Sequence, residues 1–133
     1  MAVALDTAAV VAFLDRDDAL HRSADAAIRK LIATNRFIAS AVTFAEVLAG
    51  AHLQHHDEAV VRGFFAELVE ILPVDAATAE RAASLRAAHR SLRMPDALIL
   101  ATADAHPDVD AILTGDAGFR SVRGLGCRVK LLR

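Results

Sequence analysis

Short apolar runs alternate along this chain with longer segments of helical periodicity, and this alternation limits the possible folds more than any other feature. It is typical of βα units built around a mostly parallel sheet. Helical patterns occupy most of the sequence between successive strand candidates, so consecutive strands are joined by crossovers. The predicted strands are residues 2–5, 37–39, 69–74, 111–114 and 127–132.

The helical segments fall in pairs between the first four predicted strands. The stretch 97–103 is apolar nearly all round, which predicts a helix buried between the sheet and another layer. A length of 133 residues suits one domain with a sizeable core. We therefore expect one α/β domain over residues 1–133, with a central, mostly parallel five-stranded sheet flanked by helices. The predicted helices are 8–14, 21–34, 43–54, 58–67, 77–92 and 96–105.

Composition narrows the possible compartments and partners. A formal net charge of −2 excludes a protein that binds nucleic acid with its whole surface, so any such contact is local. The lone Cys127 excludes an internal disulfide and a zinc site of paired cysteines. No apolar stretch approaches the ~20 residues of a membrane span, and residues 1–6 lack the basic start of a secretory signal, so we expect none. We expect a soluble cytoplasmic protein with no membrane contact.

Four acidic residues lie in apolar surroundings: Asp6, Glu46, Asp96 and Asp116. Asp6 and Asp116 directly follow predicted strands, and in a parallel sheet such positions point into the crevice where ligands bind. Each acid also has a structural interpretation. Asp6 suits a helix N-cap, Glu46 completes a capping box over 43–46, Asp96 suits a helix first turn, and Asp116 suits a turn.

The combination of the four acids favours a shared functional site. Carboxylates from four separate elements repel and desolvate one another if they converge without a counter-charge. A divalent cation supplies that charge, and Mg²⁺ or Mn²⁺ prefers hard oxygen ligands. The chemistry predicted for such a site is metal-assisted attack of water on a phosphodiester.

Four segments in order along the chain resemble the signatures of PIN-domain nucleases, specifically the VapC-like toxins of toxin–antitoxin systems. The resemblance implies a PIN-like fold and an endoribonuclease that cuts RNA with Mg²⁺ or Mn²⁺. It also implies a cognate antitoxin and a second copy of the chain as partners. The segments are 5–15, 43–50, 93–103, and 113–116 with Phe119.

The same resemblance suggests roles for individual residues. It makes Asp6 and Asp96 metal ligands, with Glu46 and Asp116 completing the cluster directly or through water. It gives Thr114 an orienting role beside them. The number of ions, one or two, stays open.

Positive charge beside the acids is expected in a site that binds RNA. Arg86, Arg90 and Arg93 are spaced i, i+4, i+7, which predicts one helix face leading to Asp96 and contacting RNA. A solvated helix face is the alternative. The tail 119–133 is also basic, and it suits either RNA binding or a soluble edge strand.

Other polar and aromatic features have simpler interpretations. His52 and His56 can meet at i, i+4 on a helix, although a helix end with surface histidines explains them better. The helix 58–67, with Phe64 and Phe65, is either a contact face or core.

Two other function classes fit parts of the pattern. A catalytically inactive PIN-like module could retain the acids only to dock a basic peptide. A phosphatase or phospho-acceptor domain also uses an Asp after the first strand. This last class is weakened by Ala8, which stands two residues beyond Asp6, where haloacid-dehalogenase-like phosphatases carry a second Asp.

Overall fold

A five-stranded, all-parallel sheet forms the centre of the computed structural model, which describes residues 1–133. Its strand order is β3-β2-β1-β4-β5. The strands are β1 (Ala2–Leu5), β2 (Arg36–Ser40), β3 (Val69–Leu72), β4 (Val109–Thr114) and β5 (Arg128–Leu131). The helices are α1 (Thr7–Leu14), α2 (His21–Leu31), α3 (Ala41–His52), α4 (Glu58–Leu68), α5 (Ala76–Ala88) and α6 (Met94–Ala105).

Successive residues of the central strand β1 point to opposite faces and divide the apolar core into two layers. Val3 and Leu5 pack in the layer formed with α1 to α4. Ala2 and Ala4 pack in the layer formed with α5 and α6. Strands covered on both faces are apolar along their whole length, which explains the short continuous runs in the sequence. The α/β prediction is confirmed, with the sheet entirely parallel.

Helix α6 is the buried helix predicted from its apolar sequence. Ala97, Leu100 and Ala101 have no exposed surface, and they pack in the layer with α5. The buried hydroxyl group of Thr102 has a hydrogen-bond partner within the helix, because it donates to the Leu98 carbonyl oxygen at 2.8 Å. Because α6 is buried in this way, its first turn, which carries Asp96, is fixed in position next to the sheet.

The prediction of one helix over residues 77–92 is wrong. Helix α5 ends at Ala88, His89 caps it in a non-helical conformation, and Arg90 lies in the following turn. This turn buries the Leu92 side chain, and Pro95 stands in the first turn of the next helix. Arg86, Arg90 and Arg93 consequently do not share one helix face, because Arg93 is already the N-cap of α6.

The capping box over residues 43–46 is also wrong. Helix α3 begins at Ala41, and Ser40 is its N-cap, accepting a hydrogen bond from the Val42 amide at 3.1 Å. Thr43 is fully buried inside the first turn. Glu46 lies too far along α3 to accept a hydrogen bond from the free amides at the start of the helix. Its carboxylate can therefore bind another partner.

Smaller points concern the ends of segments and the burial of individual side chains. Helix α3 ends at His52, so His56 lies outside it and the two histidines do not share a helix face. Phe64 and Phe65 are buried and belong to the core. Cys127 is buried directly before β5 rather than inside it. An unpredicted 3-10 helix follows β4 at Ala117–Ser121.

None of the helices combines the length and the apolar character that crossing a membrane requires.

A polar clip ties α5 and α6 to the loop before β5. Asp104 accepts hydrogen bonds from Arg81 Nε at 3.2 Å and from the Gly126 amide. Arg81 in turn donates to the Gly124 carbonyl oxygen at 2.8 Å. Because the Asp104 side chain is only 15% exposed, these bonds are partly shielded from water.

We expect Asp104→Ala to lower the free energy of unfolding by about 2 kcal/mol, since it leaves charge-assisted donors without an acceptor. Urea unfolding followed by circular dichroism measures this change. The exposed Asp17, whose side chain has no partner, provides the control Asp17→Ala. Equal stability of the two variants would show that the clip contributes nothing.

Candidate active site

The carboxyl ends of β1 and β4 place Asp6 and Thr114 side by side. The strands are parallel neighbours, with Leu5 opposite Leu113, so Asp6, just past the end of β1, lies level with Thr114, the last residue of β4. Asp6 Oδ1 caps α1 by accepting from the Ala9 amide at 2.7 Å. Asp6 Oδ2 accepts from the hydroxyl of Thr114, which is fully buried. Asp6 is therefore both the predicted helix cap and a fixed member of the crevice.

Asp116 is held two residues beyond β4 by the same threonine. Its amide donates to Thr114 Oγ1 at 2.9 Å, and its carboxylate accepts from the Gly118 amide at 2.8 Å. The threonine thus links Asp6 to Asp116 in one chain of hydrogen bonds. The orienting role that the family resemblance suggested for Thr114 stays a prediction, and these two hydrogen bonds are its geometric basis.

Asp96 enters the site from the first turn of α6. Its Oδ2 lies 3.6 Å from Arg93 Nε. Positions in a helix first turn favour a negative charge because the helix dipole is positive there. The Arg93 side chain is 78% exposed, so its charge is well solvated and neutralises the carboxylate incompletely.

Glu46 reaches the site from the middle of α3. Its Oε1 accepts a hydrogen bond of 2.6 Å from Thr7 Oγ1, at the start of α1. The residue is half-buried, and no salt bridge involves its carboxylate. The Glu46 carboxylate, oriented by Thr7 and not paired with a basic side chain, is thus suited to bind a cation.

All four predicted acids line one cleft with a volume of about 340 Å³. Asp18, in the loop between α1 and α2, lines it as a fifth carboxylate. The only basic residue in the lining is Arg93. We call this space the carboxylate cleft; its lining is Asp6, Thr7, Ala8, Val11, Asp18, Glu46, Arg93, Asp96 and Asp116.

Sequence reasoning did not identify Asp18 and Thr7 as members of the site. Asp18 stands among polar neighbours, where a solvated acid is the ordinary expectation, and its carboxylate also accepts from the Leu20 amide at 2.8 Å. Thr7 follows Asp6 directly, which is the only local signal for its role. Arg86 and Arg90 are not in the lining of the cleft, whereas Arg93 is.

The pKa values of the two central acids are raised mainly by burial, and the neighbouring carboxylates add a smaller effect. Burial raises the pKa of Asp6 from 3.8 to about 6, against the lowering effect of the bonds from Thr114 and Ala9, with Asp96 and Asp116 adding to the rise. Burial also raises the pKa of Asp96; Arg93 opposes the rise, and Asp116 and Glu46 reinforce it. The fold therefore holds ionised carboxylates together at an energetic cost.

The donor set suits a hard divalent cation that keeps part of its water shell. No three acidic, histidine or cysteine side chains approach closely enough to form a complete ligand set by themselves. Mg²⁺ does not require one, because it is usually bound through one or two carboxylates, several waters and a substrate phosphate. The cleft offers only oxygen ligands, with no histidine or thiol in its lining. The residues fit Mg²⁺ or Mn²⁺ better than a soft metal.

Comparison with known proteins places this geometry in a family. The family model described as PIN domain matches residues 3–125. A search of curated proteins finds no match.

Solved structures with the same fold cover almost the whole chain. A toxin–antitoxin complex from Klebsiella pneumoniae is 29% identical with a TM-score of 0.72, and the alignment covers 98% of this chain and 96% of that one. VapBC2 from Rickettsia felis, bound to a DNA fragment from its promoter, is 17% identical with a TM-score of 0.78 and covers both chains completely. Mycobacterium tuberculosis VapC20, described as a sarcin-ricin loop cleaving toxin, is 19% identical with a TM-score of 0.72 over 96% of this chain and 99% of that one.

Proposed function

Because the chain belongs to the PIN domain family, we propose that it is a metal-dependent endoribonuclease of the VapC toxin type. Its substrate is RNA, and it hydrolyses phosphodiester bonds at the carboxylate cleft with Mg²⁺ or Mn²⁺. The observation that carries the proposal is the charge balance of the cleft, in which five carboxylates face a single, mostly exposed arginine. The similarity to a toxin–antitoxin complex and to a toxin described as cleaving the sarcin-ricin loop supports the same conclusion.

Some side chains of the cleft would bind the ion, and others hold those ligands in position. Asp6 and Asp96 would hold the ion, with Glu46 and Asp116 contributing directly or through water. A bound divalent ion supplies polarisation of a phosphoryl oxygen and a water molecule with a lowered pKa. Thr114 fixes Asp6 and Asp116 relative to each other, and Thr7 orients Glu46. An unprotonated carboxylate at the edge of the cleft can accept the proton of the attacking water.

Arg93 provides the positive charge on the substrate side. Its side chain lies at the mouth of the cleft, beside Asp96, and it is exposed enough to reach a phosphate. Arg86 and Arg90 stay proposed RNA contacts, now as separate surface residues rather than one helix face. The basic residues of the tail 119–133 add local positive charge that steers an anionic polymer.

Cleavage of labelled RNA by the purified protein tests the proposal. We expect internal cuts with Mg²⁺ or Mn²⁺ and none with a chelator, with end sequencing showing recurrent cut positions. Equal cutting in the presence of the chelator would contradict the metal-dependent mechanism. Absence of any cutting across a total RNA pool with either metal would contradict the nuclease assignment.

We propose further that an antitoxin restrains the activity. The similar solved chains come from toxin–antitoxin and VapBC complexes, and the surplus negative charge of the cleft is complementary to a basic side chain. A second copy of this chain stays a predicted partner. Adding the protein encoded next to this gene should abolish RNA cleavage at equimolar ratio; undiminished cleavage by a complex of the two would contradict this assignment.

A further inference from the structure

A second cavity adjoins the carboxylate cleft and shares Asp96 and Asp116 with it. Its volume is about 340 Å³, within the range of pockets that hold small molecules. We call it the side pocket. Apart from the two shared acids, no Lys, Arg, Asp or Glu lines it. The lining of the side pocket therefore carries fewer charged residues than the lining of the cleft beside it.

The inner part of the side pocket is apolar and its outer part carries hydroxyl groups. Leu92 and Phe119 are buried and contribute the apolar lining. Ser91 and Ser121 are exposed and also line the cavity. The Ser121 hydroxyl donates to the Gly118 carbonyl oxygen at 2.8 Å, whereas the Ser91 hydroxyl has no partner in the fold. A ligand with a flat apolar face and a polar edge matches this arrangement.

His89 contributes a ring whose nitrogens are both occupied by the backbone. Nε2 lies 3.2 Å from the Arg123 amide, which donates to it, and Nδ1 lies 3.2 Å from the Leu85 carbonyl oxygen. An acceptor at Nε2 requires the neutral tautomer with its hydrogen on Nδ1. The ring consequently offers a ligand only its carbon atoms and its π surface, which suits stacking rather than hydrogen bonding.

Gly118 lines the side pocket and lies next to Asp116, one of the two acids that both spaces share. A Cβ atom at this position would lie 3.1 Å from Asp116 Oδ1, which is closer than side chains normally approach. A side chain at position 118 would therefore crowd the Asp116 carboxylate, which lines both spaces. A single ligand can thus extend from one space into the other.

We propose that the side pocket binds the nucleobase of a nucleotide adjacent to the scissile phosphate. This inference rests on the proposed ribonuclease function and identifies where the enzyme holds a base. A phosphate group does not fit the pocket, because two carboxylates border it and no cation lines it. A neutral heteroaromatic ring fits the apolar floor and the His89 ring, with the Ser91 hydroxyl at its edge.

Filling the pocket tests the proposal through the cleavage reaction. Ser91→Leu places an aliphatic side chain in the cavity without adding an aromatic surface. Because the base then loses its stacking surface, we expect kcat/KM for RNA to fall about tenfold or more. The base preference next to the cut should weaken, while Mn²⁺ affinity stays unchanged. The matched control is Ser84→Leu on the exposed face of α5; equal kinetics and equal base preference in both variants would overturn the proposal.

A binding measurement separates this proposal from the nuclease assignment. Nucleoside 5′-monophosphates contain no phosphodiester bond to cut, so they can be titrated with Mg²⁺ into the intact protein and followed by NMR. We expect the amide signals of Leu92 and Val122, which line the side pocket away from the acids, to shift with nucleotides but not with ribose 5-phosphate, and the shifts to be lost in Ser91→Leu. Identical shifts with ribose 5-phosphate, or none with any nucleotide, would overturn the base pocket whether or not the protein cuts RNA.

Discussion

Replacing Asp96 by Asn should lower the rate of RNA cleavage by about a hundredfold or more while leaving the fold intact. The two side chains have the same shape, so the first turn of α6 keeps its packing. The change removes a negative charge from the centre of the carboxylate cleft and with it a proposed ligand of the cation. Loss of groups that merely support a metal ligand already costs about 10–100-fold, and loss of a ligand should cost more.

The design of the experiment separates catalysis from stability. Because burial raises the pKa of Asp96 in the fold, the uncharged Asn should not destabilise the protein at neutral pH. Asp108→Asn is the matched control, since Asp108 is exposed and pairs with Arg36 at the opposite edge of the sheet. Single-turnover cleavage rates with Mg²⁺ should be unchanged in the control. If the Asp96→Asn variant cleaves RNA as fast as the control, Asp96 is not part of the active site.

Replacing Asp6 by Asn should stabilise the metal-free protein at neutral pH. The pKa of Asp6 is about 6 in the fold against 3.8 unperturbed, so between these values the folded state binds more protons than the unfolded state. The free energy of unfolding therefore falls as pH rises through this window, and the full cost is present above pH 6. Converted at 1.36 kcal/mol per pH unit, the ionised Asp6 costs the fold at most about 3 kcal/mol.

Urea unfolding in a chelator at pH 7.5 and pH 4.5 measures this effect. We expect Asp6→Asn to be more stable than the unchanged protein at pH 7.5 and to lose most of that advantage at pH 4.5. Asp75→Asn is a closely matched control, because Asp75 caps α5 through the Thr78 amide as Asp6 caps α1 through the Ala9 amide. Asp75 is exposed to solvent and its pKa is lowered, so its replacement should give no gain. A loss of stability at pH 7.5 in both variants would show that Asp6 acts only as a cap.

The elements that carry the site could be predicted because each has a strong local signal. The apolar runs before Asp6 and Asp116 identify strands, and parallel neighbours must end at the same edge of the sheet. The apolar sequence after Asp96 identifies a buried helix whose first turn faces that edge. Thr114 is expected beside these acids from the family resemblance alone, and the structure places it as the last residue of β4.

The remaining features depend on tertiary contacts that no local pattern reveals. Ser40 and Thr43 are both good N-cap residues, and only the pairing of β2 with its neighbours decides that the strand ends at Ser40. The i, i+4, i+7 spacing of the arginines is helical, but burial of Leu92 interrupts the helix between them. Asp18 enters the cleft through the path of the loop between α1 and α2, which its polar sequence does not specify.

Titration of Mn²⁺ into the metal-free protein by calorimetry tests the central claim most directly, since it asks whether the carboxylate cleft binds a divalent ion at all. We predict saturable binding by the unchanged protein and by Asp108→Asn, with the heat lost or the affinity greatly reduced in Asp6→Asn and Asp96→Asn. Equal binding by all four proteins, or no binding by any of them, would contradict the account.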